Sequence, residues 1–207
     1  MATAPLLPNG VTLDALLAQL RELCWGAADI LMAYARGLQP PHGFSRELIV
    51  EDSGDGPVSA ADRAVNSWLL DGLLSAFPLT EWVLLSEETT NKQLIKQSSV
   101  NSEWLWILDP LDGTKDFLSG TGEYAVHLAL VRNHMPVLGV VLIPELEELW
   151  FGVLGLDAWC EDRNGSRKSF GFSNRIALED LILVASRNHR DQRLEQLIVR
   201  LAIGGSK

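Results

Sequence analysis

Asp109 and Asp112 stand three residues apart in the string Asp-Pro-Leu-Asp-Gly-Thr, which ends at Thr114. Two carboxylates so spaced in a turn can converge on a hard cation, and Mg²⁺ in particular prefers oxygen ligands. Gly113 lets backbone N–H groups come close to an anion, and a helix beginning near Thr114 aims its positive end at the same point. Cation and phosphate then meet in one loop. Asp-Pro and Asp-Gly taken singly are ordinary turn signals, so the weight rests on the whole string.

Several elements must position these groups. Residues 104–108 form an apolar run that reads as a short buried strand, delivering Asp109 to its end, where Asp-Pro and Asp-Gly force a turn. Residues 82–86 are a second such strand and end at Glu87 and Glu88. Adjacent glutamates are ordinarily solvated charge, but here they stand at a strand end, as Asp109 does. Val-Ser-Ala-Ala-Asp at 58–62 opens a helix with Ala64, Val65, Trp68, Leu69 and Leu73 on one face. Ser59 and Asp62 make a capping-box-like pair, which by itself would account for Asp62.

The remaining pattern is scaffold. Leu13, Leu16, Leu17, Leu20, Cys24, Ala27, Leu31 and Tyr34 recur at helical spacing, with Thr12 as the N-cap and Gly37 as the stop. Residues 39–57 form a loop of the lid type with a short strand at 47–50, and residues 89–103 a polar surface excursion. Tyr124, Val126, Leu128 and Leu130 alternate along 123–131; His127 falls on the opposite face, where a lone histidine reads as a satisfied core residue. Strands at 137–143, 148–153 and 157–160, joined by tight turns at 132–136 and Asn164-Gly165, imply an antiparallel sheet. Residues 181–185 are the last clear strand and 191–201 a helix; Ser186 to His189 between them suit a polar cap.

Composition narrows the class. The chain has 207 residues, 47% of them hydrophobic and 21% charged, as an ordinary globular protein does, and a formal charge of −10. That charge argues against a surface that coats nucleic acid, which needs a basic stripe. A small phosphorylated nucleotide stays compatible, because a bound Mg²⁺ supplies local positive charge. Cys24 and Cys160 lie far apart, without metal-ligand spacing, which favours a reducing compartment; no leader or membrane span is evident, so a cytoplasmic protein is expected. There is no internal repeat, no Walker A sequence and no Gly-x-Gly-x-x-Gly.

Asp-Pro-Leu-Asp-Gly-Thr resembles the signature of the inositol monophosphatase superfamily of Mg²⁺-dependent, lithium-sensitive phosphatases. Its continuation, Lys115-Asp116-Phe117, resembles the CysQ branch, the 3′(2′),5′-bisphosphate nucleotidases. Val-Ser-Ala-Ala-Asp is similar to the family's Val-Thr-Ala-Ala-Asp, and Ser-Glu-Glu at 86–88 to its metal-binding segment. The resemblance implies an α+β fold, a layered sandwich of the inositol monophosphatase and fructose-bisphosphatase type, with a mostly antiparallel sheet and long N-terminal helices. A metal- and phosphate-binding domain is expected over residues 1–175 and the start of an incomplete second domain over 176–207.

The resemblance also implies roles. Glu87, Asp109, Asp112 and the Leu111 carbonyl would hold two or three Mg²⁺ ions. Asp62 would polarise Thr114, and Asp112, Gly113 and Thr114 would contact the phosphate. Ser186 and His189 would touch the nucleotide, in a segment similar to the branch's Ser-Arg-Ser-His, with Asn188 in place of the second serine. The implied reaction is hydrolysis of the 3′-phosphate of adenosine 3′,5′-bisphosphate to give AMP, clearing a by-product of sulfate activation, by a monomer or homodimer. An inositol-phosphate phosphatase is the sister alternative; a catalytically silent interaction or regulatory protein is the alternative from another class. Two departures stand out. No lysine lies in the acidic run 51–56, and the family's Trp-Asp-x-Ala-Ala segment, whose aspartate binds metal and substrate, is absent before the chain stops at Lys207. A shortened second domain is the expectation.

Overall fold

The computed structural model describes residues 7–8, 10–52, 57–90, 102–171, 173–184, 192–201 and 205–206. They divide into two compact units, Met1–Phe170 and Gly171–Lys207.

In the first unit Thr12 caps helix α1 (Leu13–Ala35), its hydroxyl oxygen accepting from the Ala15 N–H at 3.2 Å. Gly37, at φ +63°, takes the left-handed conformation that ends it. The leucine ladder read from the sequence is the buried stripe: Leu16, Leu20, Cys24, Ala27 and Leu31 are fully buried. Helix α2 (Ala60–Ala76) packs on α1 at close range because two glycines sit at the contact. A Cβ on Gly72 would stand 2.2 Å from Leu23, and one on Gly26 2.6 Å from the Trp68 ring. The Trp68 indole N–H closes the same contact by donating to the Leu23 carbonyl at 2.9 Å.

Strand β1 (Val50–Asp52) pairs antiparallel with β2 (Pro57–Ser59) in a small sheet ahead of α2. The strand expected over 47–50 is thus displaced toward the acidic run, because only from Val50 on does a partner strand exist. The large sheet has seven strands in the order of the chain: β3 (Val83–Ser86), β4 (Trp104–Asp112), β5 (Ala125–Arg132), β6 (Met135–Ile143), β7 (Glu148–Val153), β8 (Ala158–Glu161) and β9 (Arg167–Phe170). The β3–β4 pair is parallel and all the other pairs are antiparallel. Asn133 and His134 join β5 to β6 with both φ angles positive, +46° and +66°. Such a pair matches the twist of a two-residue hairpin.

One face of this sheet is buried with α1 and α2, α1 meeting β6 and α2 meeting β4. Burial alternates along β5 from Ala125 to Val131 and along all of β7, so Val126, Leu128, Leu130, Leu149 and Phe151 belong to that core. Glu161 is buried in it as well, neutralised by an ion pair with Arg21 and accepting from the Trp159 indole at 3.2 Å. A buried carboxylate without such partners would be costly. Cys24 and Cys160 are both free and buried.

The second unit has β10 (Ile182–Leu183), helix α5 (Gln192–Leu201) and β11 (Gly205–Ser206), with β10 and β11 parallel. Of the strand expected over 181–185, Ile182 and Leu183 pair as strand, residue 185 lies outside the described residues, and a further strand, β11, follows. Ser186 and His189 lie outside the described residues. Among the described residues no helix is long and apolar enough to cross a membrane.

Candidate active site

The parallel pairing of β3 with β4 sets Ser86 opposite Leu108, so both strands deliver their next residues, Glu87 and Asp109, to one edge. Glu87 opens the short helix α3 (Glu87–Thr90). Contrary to the expected turn, β4 does not stop at Asp109; it continues to Asp112, which pairs with Ala125. The register shifts between Asp109 and Asp112. Pro110 has no N–H to give the ladder, so a bulge absorbs it, and bulges redirect side chains. The turn falls at Gly113, at φ +90°, the N-cap of helix α4 (Thr114–Ser119). Only glycine fits there, since a Cβ would stand 2.8 Å from the Glu123 carbonyl.

The carboxylates crowd one another. Asp109 and Glu87 share a side-chain hydrogen bond, and the Asp109 carboxyl is pushed up to about 7. Burial is the first cause, followed by the neighbouring charges of Glu87 and Asp112, against the pull of the Leu111 N–H that Asp109 accepts at 3.1 Å. Two acids joined in this way cannot both ionise without either a proton or a cation. An oxygen-only set under that electrostatic pressure suits a hard divalent cation. Among the described residues no three ligating side chains close around one point as they stand. Asp112, whose side chain is 60% exposed, is free to turn toward the others.

A second group lies at the other end of the loop. Ser59 donates through both its N–H, at 2.8 Å, and its hydroxyl, at 2.5 Å, to Asp62 Oδ2. The expected capping box is therefore real. The other oxygen of Asp62 accepts from the Thr114 hydroxyl at 3.1 Å, across 52 residues of chain. The cap and the contact with Thr114 coexist on one carboxylate, one oxygen each. Asp62 is buried, and burial holds its carboxyl above the usual range in spite of the hydrogen bonds from Ser59 and Thr114. Thr114 also stands 3.1 Å from the Leu111 carbonyl, so one hydroxyl hydrogen has two acceptors at equal distance.

His127 is the residue that sequence reasoning misplaced. It does lie on the face opposite Val126 and Leu128, but that face is not core. Its ring is 43% exposed, pairs in register with Asp109 across β4 and β5, and brings Nε2 to 3.9 Å from Asp112 Oδ2. With Ser86, Glu87 and Asp109 it lines a cavity of about 720 Å³. Alternation along one strand shows a face; only the pairing shows what that face meets.

The inositol monophosphatase family model matches residues 12–202 of the chain. The chain is 32% identical to the 3′(2′),5′-bisphosphate nucleotidase CysQ of Salmonella typhimurium over 189 residues, covering 90% of this chain and 69% of that protein. It is 31% identical over the same length to CysQ of Escherichia coli. Among solved structures, the extragenic suppressor protein suhB of Bartonella henselae superposes with a TM-score of 0.70 at 25% identity, over 93% of this chain and 69% of that one. CysQ of Bacteroides thetaiotaomicron does so with a TM-score of 0.67 at 25% identity, over 94% and 70%. In sequence and in fold, then, the chain belongs to the inositol monophosphatase family, a family of phosphoric monoester hydrolases.

Proposed function

We propose that the chain hydrolyses the 3′-phosphate of adenosine 3′,5′-bisphosphate in a Mg²⁺-dependent reaction, giving AMP and inorganic phosphate. The observation that carries this reading is the Thr114–Asp62 hydrogen bond set against the Glu87–Asp109–Asp112 carboxylates. Nucleotide rather than inositol phosphate is favoured by Lys115-Asp116 after the signature and by the CysQ relatives. The cytoplasm, where such a nucleotide arises as a by-product of sulfate activation, is the matching location.

Glu87, Asp109, Asp112 and the Leu111 carbonyl would hold the cations. When bound, Mg²⁺ supplies the charge neutralisation that hydrolysis of a phosphate monoester, among the slowest uncatalysed reactions, requires. Thr114 orients the attacking water by accepting its hydrogen, while its own hydroxyl hydrogen points to Asp62. With the Leu111 carbonyl taken up in holding a cation, Asp62 Oδ1 would be the remaining acceptor for that hydrogen. Asp62, with its proton affinity raised by burial, is suited to receive the proton as water attacks phosphorus. The bond between phosphorus and the ribose 3′ oxygen then breaks, and that oxygen takes a proton from solvent. Backbone N–H groups at Gly113 and Thr114 hold the phosphate oxygens, and Ser186 and His189 contact the nucleotide.

The test is phosphate release with and without Mg²⁺ from adenosine 3′,5′-bisphosphate and inositol 1-phosphate in parallel. Faster turnover of the nucleotide is expected. Preference for inositol phosphate moves the chain to the sister activity, and silence on both in a folded sample identifies a non-catalytic relative.

A further inference from the structure

Ser59 has no part in the reaction as outlined, yet it holds the carboxylate that the reaction uses. Ser59 is fully buried and Asp62 is 3% exposed, so bulk water is no alternative partner for either side chain. The extended backbone of Ser59, at φ −105° and ψ 168°, sends its N–H and its hydroxyl to one oxygen, Asp62 Oδ2. The direction of that hydroxyl is decided too. Ser59 Oγ accepts from the Ala61 N–H at 3.2 Å, which leaves its own hydrogen for Asp62. The small sheet anchors the cap from behind: Ser59 pairs with Val50, and the Ala60 N–H donates to the Ile49 carbonyl at 2.7 Å.

This arrangement makes the two oxygens of Asp62 unequal. Each carboxylate oxygen offers about two lone-pair sites. Ser59 supplies two donors to Oδ2 and so fills it, while Oδ1 takes the Thr114 hydroxyl at 3.1 Å and keeps a free site. From the geometry we infer that Ser59 is a positioning residue for the hydrolysis, turning Oδ1 toward Thr114 and confining the proton from the attacking water to that oxygen. The inference rests on the reaction proposed above and concerns what aims its base. In that step an O–H bond of water breaks as its oxygen bonds phosphorus. The hydrogen passes to Thr114 Oγ, and the hydrogen of Thr114 passes to Asp62 Oδ1. Ser59 keeps its own hydrogen throughout and acts only through Asp62.

The experiment is a double-mutant cycle on the 207-residue chain, with adenosine 3′,5′-bisphosphate as substrate and Mg²⁺ present. Ser59→Ala is made alone and in Asp62→Asn, and circular dichroism confirms that each variant is folded at the assay temperature. Ser59→Gly is made beside it, because glycine caps a helix nearly as well as serine and carries the test where alanine does not fold. Either single change should lower kcat about 10- to 100-fold, the loss that a misplaced group brings, with KM within about twofold. In Asp62→Asn the same change should lower kcat by less than about threefold, since residues that act as one unit are not additive. A merely structural role would cost the same factor in both backgrounds. An unchanged kcat in a folded single variant, a loss confined to KM, or equal losses in the two backgrounds would overturn the role of Ser59 and leave the hydrolysis standing. A folded wild-type chain that releases no phosphate would overturn the proposed reaction and this inference with it.

Discussion

Asp62 and Asp109 are both withdrawn from water, and burial raises both carboxyls, yet they keep opposite company. Around Asp62 every neighbour is a donor: the Ser59 N–H and hydroxyl on one oxygen, the Thr114 hydroxyl on the other. Around Asp109 the neighbours are acids, Glu87 and Asp112, with the Leu111 N–H as its backbone donor. The first corner is completed by the chain itself. The second is electrostatically satisfied only by a proton on Asp109 or by a cation. Stability and activity should therefore fall together at the first corner and separate at the second.

The most damaging change should be Asp112→Asn. It removes a proposed cation ligand and a like charge near Asp109, so phosphate release should drop by about 10³-fold while the melting temperature holds or rises. A melting temperature that falls with activity would erase the contrast between the corners. Asp62→Ala should cost both quantities: about 10²-fold in turnover and about 1–3 kcal/mol of stability, because the Ser59 donors lose their buried acceptor. A steady-state assay and urea denaturation of the same preparation check this. Asp62→Asn sharpens the point, since it keeps one oxygen for Ser59 and should retain most of the stability while turnover still falls.

Gly113→Ala probes the joint between the corners. Its positive φ and the 2.8 Å approach of a Cβ to the Glu123 carbonyl should cost about 1–3 kcal/mol, read from denaturant midpoints. An unchanged midpoint would mean the turn relaxes.

The smallest effect is a pH dependence. The folded Asp109 carboxyl sits at about 7, above its ordinary value of 3.8, so folding favours its protonated form. Its contribution to stability is full below the ordinary value and is lost as pH rises toward about 7. Without divalent ions, the melting temperature of the wild-type chain relative to Asp109→Asn should fall between about pH 4 and 7. Mg²⁺ should restore more of it at the upper end than at the lower. A difference that is flat with pH would show that Asp109 does not carry this strain.

Much of the frame was legible in the chain. The leucine spacing of α1, the Ser59–Asp62 cap and the alternation along β5 are local patterns, and local patterns report local structure. The candidate ligands were legible for another reason: Asp-Pro-Leu-Asp-Gly-Thr is a long string with a known resemblance. Where two local signals conflicted, the reading failed. Asp-Pro looked like the end of β4, but pairing with β5 carries the strand through Pro110 by a bulge to Asp112. His127 was placed on the correct face and given the wrong neighbours.

The sequence by itself determined which residues could act: the acids at Glu87, Asp109 and Asp112, the hydroxyl of Thr114, and a cap at Asp62 that explained itself without function. The tertiary structure alone decided which of them meet. Thr114 reaches Asp62 across 52 residues. Glu87 meets Asp109 through a parallel strand pair, and His127 faces Asp109 through an antiparallel one. A spacing along the chain carries information over one or two turns of backbone. Contacts between elements depend on register, and register is set by which faces must be buried together.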